Sequence, residues 1–159
     1  MLKDLPSLIE PKRLAFQGSN VKGEIALDKM SRLHDSLCDM NGTVYIDWTF
    51  AIDEKKRIII QGKLQTQLSL HCHRCLHPMP WKIDVTVSLM TGDDVPTGYE
   101  ALTITTPQVE LKNLIEDELI LVLPIVSMHK KCSFNDNTYA SDNNINNPFR
   151  VLSKLKTEL

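Results

Sequence analysis

Two arms of period-two alternation, set either side of a Cys-His-Arg-Cys turn, constrain this chain more than any other stretch. Before the turn, Leu64, Leu68, Leu70 and Cys72 fall on even positions, with Thr66 among them. After it, Trp81, Ile83, Val85, Val87 and Leu89 fall on odd positions. Such alternation marks a half-buried strand. Pro78 and Pro80 follow the turn. Neither can donate to a sheet ladder, so the ladder is expected to break there. The stretch reads as two antiparallel strands joined by a cysteine knuckle.

The rest of the chain is placed around this pair. Residues 1–24, punctuated by Pro6, Pro11, Gly18 and Gly23, suggest extended segments and a short ribbon. Leu27, Met30, Leu33, Leu37 and Met40 recur at spacings of three and four, which predicts a helix from Leu27 to Met40 closed by Asn41-Gly42. Thr43 to Ile52 alternates as a strand, and a charged turn, Asp53-Glu-Lys-Lys56, leads into a second strand from Arg57 to Leu70. Gly62 is the expected place for a bulge. Trp81 to Met90 gives the third long strand, and Tyr99 to Thr106 a weaker fourth. Three strands joined by short turns make an antiparallel meander with one dry face.

The period changes after Pro107. Leu111, Leu114, Ile115, Leu119 and Val122 recur at helical spacing until Pro124, while Glu110, Glu116, Asp117 and Glu118 give that helix an acidic, solvated side. An arm from Ile125 to Cys132 follows. Residues 133–147 contain six asparagines and two aspartates, the composition of a linker. Asn147 and Pro148 then suit the cap and first position of a helix whose apolar edge is Phe149, Leu152 and Leu155. Three regions result: a single α+β domain with the knuckle over 1–132, the linker over 133–147, and a C-terminal helical tail over 148–159.

A net charge of −2 gives no global attraction to nucleic acid, so any RNA contact must use a local patch. No apolar run approaches the ~18 residues of a membrane helix, and the N-terminus lacks a signal-peptide core. The expectation is a cytoplasmic protein that contacts no membrane. Thiols stay reduced in that compartment, so Cys72 and Cys75 suggest metal or redox chemistry before a structural disulfide.

A tetrahedral zinc needs four sulfur or nitrogen donors. A matching second pair follows Cys75 after 53 intervening residues, in His129-Lys-Lys-Cys132. The candidate ligands are therefore Cys72, Cys75, His129 and Cys132, holding one structural zinc that staples the arm to the knuckle. His71, His73 and His77 compete, although His71 and His73 should face away from Cys72. Two other readings stay open: reduced cysteines packed at a turn, and a thiol-redox pair, although the usual redox motif sits at a helix N-terminus. His34 and Cys38, at i and i+4, could share a metal but suit a helix side and core border.

Arg74, Lys82, Lys130 and Lys131 form a candidate basic surface around the knuckle, with Trp81 beside it as a platform for a base. Glu116, Asp117 and Glu118 fan out by about 100° each on a helix, so they make no facing acid–base pair. No active site is expected, and no small-molecule substrate.

The motifs also resemble a family. Leu70-His-Cys72-His-Arg74-Cys75-Leu76 is similar to the knuckle of the YceD-type large ribosomal RNA subunit accumulation proteins of bacteria and plastids. Ile115-Glu-Asp-Glu-Leu-Ile-Leu121 with Leu123-Pro124 resembles that family's acidic helix, and His129 and Cys132 its following pair. Asn147-Pro148-Phe149 with Leu152, Leu155 and Lys156 resembles its C-terminal segment; Arg13-Leu14-Ala15 and Phe50-Ala51-Ile52-Asp53 fit as well. The resemblance implies a non-enzymatic role in synthesis, processing or stability of large-subunit ribosomal RNA. Its partners would be that RNA or its assembly and processing proteins.

The fold expected is α+β: an antiparallel β-meander sheet of four or more strands, a preceding helix, an acidic-sided helix packed on the sheet, and a C-terminal helical tail. In the working mechanism the basic knuckle meets RNA or a ribosomal protein, Glu116, Asp117 and Glu118 meet a basic partner, and Phe149 anchors the tail to an assembly protein. The alternatives are a metal-stapled adaptor acting on RNA through other proteins, and a thiol-redox protein.

Overall fold

The computed structural model describes residues 5–132. The expected linker over 133–147 and tail over 148–159, with Phe149, lie outside them.

The fold is α+β, built on a five-stranded sheet in the order β2-β3-β4-β5-β6. β2 is Asn20–Ala26, β3 Thr43–Ile52, β4 Ile58–His71, β5 Pro78–Thr91 and β6 Glu100–Leu102. The first four pair antiparallel, while β6 runs parallel to β5 with Leu89 opposite Glu100. A small second ribbon pairs β1, Leu8–Ile9, with β7, Val109–Glu110.

The period-two pattern does what such a pattern must. On β3, Val44, Ile46, Trp48 and Phe50 are fully buried, and across the ladder Ile60, Leu64, Leu68, Ile83, Val87 and Leu89 complete the same dry face. Lys63, Gln67, Lys82, Asp84 and Thr86 lie on the other face, in water. The core is closed by Leu111, Leu114, Ile115 and Leu119 of α2, which spans Leu111–Val122.

The prolines do not break the ladder as expected, because β5 begins at Pro78 itself. Cys72 donates its N–H to the His77 carbonyl at 3.0 Å, which fixes the bonded phase. Antiparallel pairs alternate, so Pro78 opposite His71 and Pro80 opposite Ser69 occupy non-bonded positions, where no inward N–H is needed. The outward Ser69 carbonyl is taken instead by the Cys38 N–H at 2.7 Å.

Gly62 is not a bulge. The register runs unbroken from Gln61 opposite Thr49 through Gly62 opposite Trp48 to Lys63 opposite Asp47. The glycine permits close backbone approach: a Cβ there would overlap the Asp47 carbonyl oxygen and stand 2.7 Å from the Trp48 Cα.

Two further expectations are corrected. Residues 1–24 contain a short helix, α1, over Pro11–Phe16, with Pro11 at its first turn. The predicted helix from Leu27 to Met40 is instead two 3₁₀ segments, Leu27–Lys29 and Ser31–Ser36. Leu27, Met30 and Leu33 are strictly three apart, a spacing that eclipses in a 3₁₀ helix and buries all three side chains. The segment is also pinned to the sheet at both ends, by Leu27 N–H to the Gly42 carbonyl and by the Leu37–Leu70 bridge. A 3₁₀ helix rises about 2 Å per residue against 1.5 Å for an α-helix, and covers that distance better.

The acidic side of α2 is not a solvated face. Glu116 is 2% exposed and accepts the Arg32 backbone N–H at 2.5 Å, closing the start of the second 3₁₀ segment. Asp117 pairs with the Arg32 guanidinium and stays half exposed. Glu118 is 7% exposed, and burial first, then the Glu100 and Asp117 carboxylates, push its carboxyl up to about 7 from an ordinary 4.5. Between those two values the folded chain holds a proton that the unfolded chain releases, so stability falls as pH rises through the window and the loss is complete above pH 7. The predicted cost at high pH is up to about 3 kcal/mol. Thermal melts from pH 4.5 to 8 should therefore diverge, with Glu118→Gln gaining on the parent as pH rises. Parallel curves would contradict the assignment.

Candidate metal centre

The site grows from the turn between β4 and β5. Residues 72–77 make a tight knuckle: Leu76 donates its N–H to the Cys72 carbonyl at 2.8 Å and adopts a left-handed φ of 60°. A branched residue pays a small steric penalty in that conformation. The turn aims peptide N–H groups at one sulfur. The backbone N–H groups of Cys75, His129 and Arg74 reach Cys72, and they pull its thiol down to about 5 against the opposing effect of burial.

The arm after α2 is strapped to the same place. Ser127 is buried, donates its hydroxyl to the His71 carbonyl at 2.5 Å, and accepts the His73 N–H at 2.8 Å. These bonds lay residues 128–132 over the knuckle. The Cys72 and Cys132 sulfurs are then 3.9 Å apart, and the Cys75 sulfur lies 3.5 Å from His129 Nδ1. His129 Nε2 sits 3.2 Å from the Pro78 carbonyl, where an Nε2–H donates and leaves the Nδ1 lone pair facing the sulfurs. All four donor atoms lie within 4.8 Å of one another.

These residues fit a tetrahedral cation. Metal–sulfur bonds of about 2.3 Å and a metal–nitrogen bond of about 2.0 Å require S···S near 3.8 Å and S···N near 3.5 Å. The charge balance points the same way. Cys132 is pushed up to about 11, first by the Cys75 side chain, then by burial and the Cys72 sulfur. Cys132 thus resists ionisation unless a positive charge joins the cluster.

The structure brings all four sequence-predicted donors together. Among the described residues, no further group of three or more such side chains gathers; His34 and Cys38 join none. His71, His73 and His77 are exposed, and so are Arg74, Lys82, Lys130 and Lys131. Lys82 shares the wet face with Pro78 and Pro80, four residues up β5 from the knuckle. Glu116 and Glu118, by contrast, are turned into the protein. Sequence reading missed Ser127 as the strap and the Pro78 carbonyl as the orienter of His129. The first had a signal, since Ser127 lies two residues before His129; backbone carbonyls carry none.

The profile of the family described as large ribosomal RNA subunit accumulation protein YceD matches residues 60–156, more than half of the chain. The chain belongs to this family. One YceD relative, the large ribosomal RNA subunit accumulation protein of Haemophilus influenzae, is 28% identical over 132 residues, covering 79% of this chain and 76% of its own length. No solved structure matches. The YceD match begins in β4 and includes both halves of the cluster. Among the described residues, no helix is long and apolar enough to cross a membrane.

Proposed function

We propose that this chain is a non-enzymatic cytoplasmic factor supporting accumulation of large-subunit ribosomal RNA, and that its working surface is the knuckle and arm stapled by one structural zinc. The supporting observation is the convergence of Cys72, Cys75, His129 and Cys132 from two stretches 53 residues apart. Zinc supplies structural cross-linking here. The four side chains hold it, and the Pro78 carbonyl and Ser127 keep the ligand-bearing segments in place. The result is a fixed surface on which Arg74, Lys130 and Lys131 are exposed together, with Lys82 further along β5. Cations held in a rigid array suit phosphate contact, which positions a protein on RNA.

The direct test is Arg74→Glu with Lys130→Glu and Lys131→Glu, introduced into cells in place of the parent. The zinc content and melting temperature should be unchanged, while the ratio of mature large- to small-subunit ribosomal RNA falls. An unchanged ratio in a folded, zinc-loaded variant would sink the surface assignment.

A second reading is a zinc-stapled adaptor that reaches RNA through other proteins, favoured by the net charge of −2. Direct contact predicts that log affinity for ribosomal RNA falls linearly with log salt, by about 0.7–0.9 per phosphate neutralised. The adaptor predicts no such slope. The low value at Cys72 also suits disulfide exchange. That reading requires turnover of a disulfide substrate by the reduced, metal-free protein.

A further inference from the structure

Seven large apolar side chains are exposed among the described residues: Leu8, Phe16, Leu76, Leu121, Ile125, Val126 and Met128. Five of them belong to the knuckle and to the stretch 121–128, and Ile125 is 96% exposed. Ile125 also lines a groove of about 430 Å³, whose apolar wall is Leu70, Ile120, Leu123 and Pro124 and whose other wall is polar, with Asp35 and His73 among its residues. An apolar concentration of this kind on one end of a chain marks a surface that is covered.

We propose that the chain's own C-terminal segment, residues 148–159, covers it, seating Phe149, Leu152 and Leu155 on the surface formed by Leu121, Leu123, Ile125 and Val126. Chain length and position favour this occupant. The described chain ends at Cys132, whose sulfur is 3.9 Å from Cys72, at the same end of the sheet. Residues 133–147 separate it from the segment, and fifteen residues reach at most about 50 Å. The larger groove, of about 990 Å³ between α1 and residues 102–107, includes Ile58 and Thr91 at the opposite end of β4 and β5. It lies about 43 Å along β4 from the knuckle, so the connection would be almost taut.

The chemistry of the segment agrees. Phe149, Leu152 and Leu155 recur every three residues. At about 100° per residue a helix would put Arg150 and Lys154 on the side away from Leu152 and Leu155. A segment seated apolar side down would then present two cations beside Arg74, Lys130 and Lys131. The family match also runs unbroken from β4 through the knuckle and arm to residue 156, treating this segment as part of the same unit.

Hydrogen exchange on the full-length, zinc-loaded chain tests the proposal. In Phe149→Asp/Leu152→Asp the amides of residues 121–128 should exchange about tenfold faster than in the parent. Amides of β4 and β5 serve as the internal check on folding. Ile125→Asp, at a position exposed in the fold, should speed exchange in 149–156 by a similar factor. The rates in the parent should not change over a twentyfold range of concentration. Equal rates in parent and variants would overturn the proposal, and so would protection that grows with concentration, which would make the occupant a second copy.

Discussion

Cys132→Ser is expected to reduce the zinc content from one per chain to none after dialysis against a competing chelator, and to release the arm while leaving the sheet folded. The expectation follows from where the four ligands sit. Cys72 and Cys75 are fixed by the knuckle, but Cys132 is held near them by the preceding Ser127 strap, and a shared metal would complete the hold. Structural zinc contributes on the order of 10 kcal/mol. Loss of one thiolate leaves an incomplete set, and the anionic charge near Cys72 loses its partner cation. The core residues Trp48, Phe50, Leu64 and Ile83 do not contribute ligands, and a domain of this size buries enough surface to fold without a staple. Limited proteolysis should therefore cut the variant between residues 128 and 132 while β3, β4 and β5 survive. Retention of one zinc by the variant, or a parent purified without chelator that carries none, would contradict the account.

Gly62→Ala should be the most damaging single methyl in the sheet. The added carbon would overlap the Asp47 carbonyl and crowd the Trp48 Cα, both backbone atoms of the neighbouring strand. Backbone cannot rotate aside as the end of a long side chain can. Relief requires β3 and β4 to separate where Trp48 and Phe50 fill the dry face with no exposure. Overpacking of this sort costs about 1–3 kcal/mol, and the rigid neighbours place this position at the upper end. Against a total stability of about 5–15 kcal/mol that is a large share. The urea midpoint should fall by about 1–2 M with an unchanged slope. A midpoint equal to the parent's would mean the strands are not in this register.

The long strands were legible because each has a dry face and a wet face, and burial of alternate side chains leaves the period in the sequence. The same holds for α2, whose apolar stripe Leu111, Leu114, Ile115 and Leu119 reaches the core. The segment after β2 was misread for a physical reason. A spacing of three, in Leu27, Met30 and Leu33, serves either helical form, and its ends are fixed by tertiary bonds to Gly42 and Ser69 that no local pattern records. Glu116 and Glu118 were misread because charge type predicts solvent exposure on average. Glu116 is buried against a backbone N–H contributed from 84 residues away, a contact the helix's own sequence does not announce. The gathering of the four donors was suggested by spacing, since His129 and Cys132 offer a partner pair for Cys72 and Cys75. That the pairs meet depends on Ser127 and the Pro78 carbonyl, which spacing does not encode.

Zinc K-edge X-ray absorption on the full-length protein tests the central claim most directly. The account predicts three sulfur neighbours at about 2.3 Å and one nitrogen at about 2.0 Å, with the nitrogen contribution lost in His129→Ala. A shell of nitrogen and oxygen alone, or a spectrum unchanged by His129→Ala, would mean that the knuckle and the arm are not joined by a metal.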